Sequence, residues 1–367
     1  MIGIICFWDR YATPYLAKYE RVLNDNKIPF EVVFWNRTPN TNISTFSQNG
    51  NCVYINLKCK DSKIGKVSSF FSWARLVKKI IKQRQYSHLI LLSTMPAVLL
   101  YLFIVRNFVN KYIFDIRDYT YEKNTLFKKL VMSIIRHSSF TTISSKGFCD
   151  WLDSSDKIIV NHNITVNNNE SSWLPPVFND NKKINFAFVG NVRLDMQTEA
   201  LLRKLKNDPL IDQYFYGRIL PSCNIQAIKE EEGINNLYFM GPFDSADKQR
   251  IFDQVDLINC VYANSKDDNN IPLGDSTPLP NRLYDALVFM RPIVVSKGTY
   301  LAELVDEYSL GVCINGFSPD ARDRIVNYIN CFDSEEFMEG CKRLRHIVEE
   351  EEVIFLEKLV NTLLCWK

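Results

Sequence analysis

The stretch LILLSTMPAVLLYLFIV, Leu89–Val105, decides between two different kinds of protein. Taken as one helix, its 17 residues sit at the lower limit for crossing a bilayer. Ser93, Thr94 and Pro96 interrupt it, and a proline there ends one element and begins another. The interruption predicts a strand over 89–92, a turn, and a helix from about residue 97. A short, wholly apolar strand that runs into a helix is the signature of a parallel sheet covered on both faces.

The same alternation extends in both directions. Upstream come an apolar strand (Ile2–Phe7), the loop WDRYATP, a helix to about Asn24 and the strand FEVVFW (Phe30–Trp35). A polar, Asn-rich loop, a strand near Val53–Leu57 and a basic helix over about Ser68–Gln83 follow. Downstream the order is KYIFDI, the loop RDYTYEKN, a helix through LFKKLVMSIIRH, the strand FTTIS, a helix KGFCDWL and the strand KIIVNHN. Polar residues and a Pro-Pro pair in VNNNESSWLPPVFNDNKK then break the pattern and mark a linker over 166–183. A second alternating set begins at INFAFVG (Ile184–Gly190). It runs through a helix near Thr198–Lys206, DQYFYGR, a helix near Asn224–Glu231, LYFMGPF, a helix near Ala246–Gln254 and DLINCVYA, to LGVCI (Leu310–Ile314). An acidic helical tail closes the chain from about Ser334. The expected organisation is therefore two doubly wound Rossmann-like α/β domains, 1–165 and 184–345, facing a cleft at the carboxyl ends of their strands. The last segment, 346–367, is a helix available to pack back on the first domain.

Composition agrees with such a chain. Its 367 residues exceed the usual single-domain size, and 46% hydrophobic with 23% charged residues is ordinary for a globular protein. Ten cysteines form no CxxC pair and four histidines are scattered, so no zinc-site spacing exists and the cysteines read as thiols of a reducing compartment. The opening MIGIICFWDR is too short for a signal-peptide core, which gives a cytoplasmic expectation. Residues 1–165 carry 23 Lys+Arg against 11 Asp+Glu, a net of +12, while the remainder carries −10. Nine cations lie in Lys58–Arg84 against one acid, with Phe70, Phe71 and Trp73 among them. Such a run is a solvated helix face or suits an anionic membrane surface. No nucleic-acid recognition motif accompanies it.

Neither first strand is followed by GxGxxG, which disfavours a dinucleotide dehydrogenase, and no GxxxxGK[ST] is present for a P-loop. What recurs is polar and cationic residues just after the strands of the second half: Asn191 and Arg193 in FVGNVR, Arg218 in YFYGR, and Arg282 in STPLPNRLYDALVF. Three arginines on the ligand-binding edge of one sheet suit a diphosphate. Pro280 and Asn281 fit a helix start, whereas Arg282 there faces the positive end of the helix dipole. Two readings follow: Asp285, three residues on, neutralises it, or an anion binds at the helix start. One turn into that helix, Asp285 is placed to accept from the vicinal hydroxyls of a ribose.

FVGNVR, LYFMGPF, VDLINC and PLPNRLYDALVFMRPIVVSKGTYLAELV…GVCI resemble the donor domain of family-4-like glycosyltransferases of the GT-B fold, most of all bacterial enzymes of capsular or other surface-polysaccharide assembly. FDIRDY resembles the strand-end motif beside the cleft in that family, and TTISSKGFCDWL with IIVNHN its strand–helix–strand before the linker. The resemblance implies donor-diphosphate contacts from Gly190, Asn191 and Arg193 with Arg282 near. It sets Phe243 and its neighbours Gly241 and Pro242 beside the base, and Asp285 on the ribose. Of the family's two glutamates, separated by seven intervening residues, Asp285 matches the second and Thr277 stands at the first. Retention of anomeric configuration is what the family implies, and Thr277 puts it in question.

The activity so implied is transfer of a sugar from a nucleotide-diphosphate sugar to a lipid-linked glycan acceptor (EC 2.4). Charge growing on the leaving diphosphate would be met by arginines and helix amides. No Asp-x-Asp sits at a plausible strand end, so no cofactor and no divalent metal are expected. In the first domain Asp9 is the candidate to position the acceptor hydroxyl or take its proton, with Arg117 and Asp118 as alternatives that otherwise pair with each other. His162 reads as structural. The partners expected are the nucleotide sugar, the lipid-linked acceptor and the inner face of the plasma membrane, held peripherally. Two alternatives stand beside this: a catalytically silent sugar-nucleotide-binding or scaffold protein, and a sugar-nucleotide epimerase of the same fold.

Overall fold

The computed structural model describes residues 1–10, 12–39, 45–163, 173–179 and 182–367. The chain divides into two compact units: Met1–Thr165 with Glu350–Lys367, and Val166–Glu349.

In the first unit, strands β1 (Ile2–Cys6), β2 (Phe30–Asn36), β3 (Thr45–Asn49), β4 (Cys52–Asn56), β5 (His88–Leu92), β6 (Tyr112–Ile116), β7 (Phe140–Ile143) and β8 (Ile158–Val160) form one sheet in the order β3-β4-β2-β1-β5-β6-β7-β8. All pairs are parallel except β3–β4. Strands such as IGIIC and YIFDI are buried along their whole length because helices cover both faces. One face carries α2 (Lys63–Arg84), α3 (Thr94–Leu99), α4 (Tyr101–Asn107) and α5 (Thr125–His137), whose core includes Trp73, Val77, Leu100, Ile104 and Ile134. The other carries α1 (Leu16–Asp25) together with Phe355, Leu359 and Leu363 of the last helix. Those three side chains are fully buried, at about 1.5–3 kcal/mol each.

Leu89–Val105 is a strand followed by two short helices, and among the described residues no helix is long and apolar enough to cross a membrane. The helix starts earlier than the expected residue 97, because Pro96 falls in the first turn of α3, where its missing amide costs nothing. The basic helix α2 likewise begins earlier, at Lys63, since the Ser62 hydroxyl caps it by accepting from the Gly65 amide. The stretch read as an Asn-rich loop contains β3, an antiparallel edge strand. KGFCDWL forms only a 3₁₀ turn, Lys146–Asp150.

In the second unit, β9 (Ile184–Val189), β10 (Ile211–Tyr216), β11 (Leu237–Gly241), β12 (Leu257–Cys260), β13 (Ile293–Ser296) and β14 (Gly311–Ile314) make a wholly parallel sheet in the order β11-β10-β9-β12-β13-β14. Counted within the unit this is 3-2-1-4-5-6, the doubly wound order whose ligands bind past the carboxyl ends of the strands. Its helices are α6 (Met196–Lys204), α7 (Ile225–Glu232), α8 (Lys248–Phe252), α9 (Leu273–Ser276), α10 (Asn281–Phe289), α11 (Tyr300–Glu307) and α12 (Ala321–Asn330). A final helix, α13 (Ser334–Cys365), begins in this unit and ends in the first. Of the expected linker, 166–172, 180 and 181 lie outside the described residues. Residues 173–179 have no regular structure and are held by Arg291, which donates to the Leu174 carbonyl at 2.7 Å.

Candidate functional site

Three neighbouring strands of the second unit end on glycines with positive φ: Gly190 (144°) after β9, Gly217 (133°) after β10 and Gly241 (79°) at the end of β11. The Gly190 amide donates to the Tyr216 carbonyl at 2.9 Å, and the Gly217 amide to Gly241 at 2.8 Å. A Cβ at Gly217 would lie 1.8 Å from the Gly190 carbonyl oxygen, so no side chain fits. The result is a shelf of backbone along the carboxyl edge, half-exposed at Gly190 and Gly241, with Gly217 buried against the Gly190 carbonyl.

Arg193, Arg218 and Asn191 are exposed beside this shelf. Arg193 Nε donates to Asp195 at 3.1 Å, and the other Asp195 oxygen accepts from Asn264 Nδ2 at 3.2 Å. Asn264 donates in turn to Asp275 through its backbone amide (3.0 Å) and Nδ2 (3.1 Å). This chain of polar contacts fixes the first loop to α9. Thr277, at the position of the family's first acid, is fully buried, and its hydroxyl donates back to the Leu273 carbonyl at 2.7 Å.

At the start of α10 the capping residue is Pro280, with ψ 151° and no side-chain cap, so Asn281 is the first helical residue and lies exposed. Pro280 and Asn281 do start the helix, with the proline as the cap, because its extended backbone already turns the chain into the helix. Arg282 does not need Asp285 as a hydrogen-bond partner. Its guanidinium lies 4.0 Å from the centre of the Phe188 ring and Nη1 donates to the Asn259 carbonyl at 2.7 Å, which ties it to β9 and β12. Asp285 is buried and bonds Lys248 Nζ at 2.6 Å. Burial lifts the Asp285 pKa above the ordinary carboxylate value; the Lys248 and Arg282 charges oppose the rise. Phe243 is half-buried in the wall of a pocket of about 220 Å³, with Tyr216, Met240, Asp247 and Arg250.

Sequence reasoning named Gly190, Gly241, the arginines and Asp285 but missed Gly217, Lys248, Asp195, Asn264 and Asp275. Asp195 stood two residues past Arg193. Lys248 sits 37 residues before Asp285 on a one-turn helix, and no local pattern points to it.

In the first unit Asp9 is exposed on the loop after β1, where its carboxylate accepts from the Ala12 amide at 2.9 Å. Asp118 is exposed after β6. The expected Arg117–Asp118 pairing is not what the structure shows. Arg117 turns inward to Asp115 at 2.7 Å, donates to the Asn161 carbonyl and Asn163 Oδ1 at 2.9 Å each, and is itself buried. Residues i and i+2 share a strand face, so Asp115 reaches it and Asp118 does not. Asp115 also accepts from Tyr19 (3.0 Å) and Thr142 (2.8 Å). Nearby, buried Lys18 pairs with Glu352 at 2.5 Å, and His162 meets Glu351 at 2.7 Å, which fastens the last helix to this unit. Among the described residues, no group of three or more His, Cys, Asp or Glu is placed to hold a metal ion.

In sequence the chain matches no family model and no curated protein. In structure it is similar to a sucrose-phosphate synthase from Thermosynechococcus elongatus, at TM-score 0.70 and 12% identity over 100% of this chain and 99% of that one. HepE of Anabaena, solved with UDP and glucose, matches at TM-score 0.60 and 12% identity over 99% of each chain. WaaG, a glycosyltransferase involved in lipopolysaccharide biosynthesis, matches at TM-score 0.60 and 10% identity over 99% of each. At these identities the likeness establishes the fold, two Rossmann-like α/β units of the GT-B glycosyltransferase type.

Proposed function

We propose that the protein is a glycosyltransferase whose second unit binds a nucleoside-diphosphate sugar and whose first unit receives the acceptor. The observation that carries this is the glycine shelf flanked by Arg282 and the Lys248–Asp285 pair. Bare backbone lets a diphosphate approach, the arginine is held rigid by Phe188 and Asn259, and a buried carboxylate stands one turn away for ribose hydroxyls. Cleavage at the anomeric carbon builds charge on the leaving diphosphate. Arg282 and Arg193, with the uncapped first-turn amides of α10, stabilise that charge without reorganising. Phe243 and its pocket are the place for the base. Asp9 is our candidate for the acceptor hydroxyl's proton. In this reading the chemistry needs no divalent metal.

The acceptor we propose is a lipid-linked glycan, in capsular or other surface-polysaccharide assembly at the inner face of the plasma membrane. What supports it is the exposed cationic surface of α2, including Lys63, Lys66, Arg75, Lys79 and Lys82, which suits anionic headgroups. A second reading, a silent sugar-nucleotide-binding protein, draws on Thr277, whose buried hydroxyl is spent on its own helix. Thermal-shift screening of nucleoside diphosphates, followed by product detection from a labelled sugar nucleotide, tests both. UDP or another nucleoside diphosphate should stabilise the protein. Arg193→Ala or Arg282→Ala should each weaken it by about 1.5–3 kcal/mol, the range for hydrogen bonds to charged groups. Stabilisation by none of the nucleotides would remove the donor site, and binding without turnover would favour the silent protein.

A further inference from the structure

Arg37 follows β2 directly, next to the loop that leaves β1, and is only half-buried. Its guanidinium carbon lies 3.5 Å from the centre of the Trp8 ring and 4.4 Å from those of both Phe7 and Trp35. One terminal nitrogen donates to the Phe7 carbonyl at 3.0 Å, while Nε is buried with no partner. No carboxylate lies within ion-pair distance of it among the described residues. The fully buried cations of this unit each have one: Lys18 has Glu352 and Arg117 has Asp115. Cations withdrawn from water without a counter-charge are costly, and the cost shows here as a guanidinium pKa brought down to about 10, chiefly by burial. Asp9 is near enough to act on it through charge, but that carboxylate is turned to the Ala12 amide.

A guanidinium fixed on three aromatic rings, with donors to spare and no acid, is arranged for an anion from outside the chain. Its place fits a ligand: doubly wound sheets bind at the carboxyl ends of their central strands, and β1 and β2 are central here. Trp8 remains 44% exposed beside it, an aromatic surface against which a sugar ring can pack.

We propose that Arg37, braced by Trp8, Phe7 and Trp35, is the acceptor-side anion site, holding a phosphate carried by the acceptor while Trp8 packs on the adjoining sugar. This rests on reading the first unit as the acceptor half. The phosphate has two possible sources, a soluble sugar phosphate or the phosphate of a lipid carrier, and the same guanidinium serves either. With the phosphate on Arg37, Asp9 on the neighbouring loop is the group left for the acceptor hydroxyl.

The test measures binding of the full chain to glucose 6-phosphate, to glucose, and to zwitterionic vesicles alone, with a polyprenyl phosphate, or with phosphatidylserine at matched charge, the last exposing attraction by the basic helix. We expect at least one phosphate probe to bind and its unphosphorylated counterpart not to. Arg37→Gln should weaken that binding at least tenfold and Trp8→Ala severalfold, with UDP affinity unchanged in both. Preference for glucose 6-phosphate identifies a soluble acceptor, and preference for the polyprenyl phosphate vesicles a lipid one. No binding of either phosphate probe, or equal binding by wild type and a folded Arg37→Gln, overturns the site. Should Arg37→Gln not fold, unchanged binding by Trp8→Ala overturns it, because Trp8 is exposed and its loss leaves the core intact. Failure of every nucleoside diphosphate to bind wild type, alongside Arg37-dependent phosphate binding, would instead sink the glycosyltransferase reading and leave an anion site standing at Arg37.

Discussion

Replacing Lys248 by Met should injure the second unit in a pH-dependent way that replacing its partner does not. Asp285 is 6% exposed and accepts from Lys248 Nζ at 2.6 Å, with Arg282 acting on it through charge. Lys248→Met leaves a buried carboxylate facing a methyl group. A fully buried pair would lose about 3–5 kcal/mol on such a change. The Lys248 side chain is 28% exposed, so solvent screens part of this, and about 2 kcal/mol is the expected loss. For a unit of this size that is about 4–8 °C in Tm. Asp285→Asn should cost less, about 1 kcal/mol or below, because a neutral amide tolerates burial and the freed lysine can reach water. The double variant should therefore recover most of what Lys248→Met loses. Burial holds the folded Asp285 pKa above its unfolded value, so its contribution to stability is full below the unfolded carboxyl range and is lost as pH rises through the folded pKa. Without Lys248 that pKa climbs further, and the deficit of Lys248→Met should be large at pH 8 and shrink towards about pH 4. Thermal unfolding of the four proteins across that range is the assay. A deficit independent of pH, or strict additivity in the double variant, would refute the reasoning.

Asp285→Asn should also weaken UDP more than free pyrophosphate in calorimetric titrations, whereas equal losses would make the residue purely structural. Gly217→Ala should abolish nucleotide binding or folding, since its Cβ would meet the Gly190 carbonyl at 1.8 Å; a soluble variant with normal UDP affinity would show that the shelf can move. Glycosyl transfer should survive EDTA, and a rate that vanishes and returns with Mg²⁺ or Mn²⁺ would displace the arginine-based mechanism. Changing Lys78, Lys79 and Lys82 together to Glu should release the protein from anionic vesicles in flotation assays, because about 1 kcal/mol of attraction attends each basic residue near the surface. Retention of the triple variant would point to another attachment face.

The alternation of strands and helices was legible because parallel strands covered on both sides leave uninterrupted apolar runs such as FEVVFW and HLILL. Strand β3 was not, because TFSQN is a polar edge strand with a single large apolar residue, and edge strands carry little burial signal. The candidate loop positions were legible as residues just past strand ends. Their partners were not: Lys248 finds Asp285 across 37 residues and Lys18 finds Glu352 across 334, pairings set by the packed fold. Arg37 was passed over for the same reason, since Phe7 and Trp35 read as ordinary strand residues until folding brings their rings around it.

The last helix completes the first unit only after the whole of the second has been made. Phe355, Leu359 and Leu363 close the core over β1 and α1, and Glu352 supplies the counter-charge to Lys18, yet all four are encoded beyond Glu349. A ribosome adding 5–20 residues per second takes on the order of 10–40 s to translate the intervening unit. Through that interval the first unit emerges with an uncovered apolar strip and a lysine lacking its acid. The usual order, in which the amino-terminal domain folds first and alone, is reversed here: the second unit has its complete chain before the first does. A released chain truncated after Glu349 should accordingly hold a protease-resistant second unit and a first unit that chaperones still recognise.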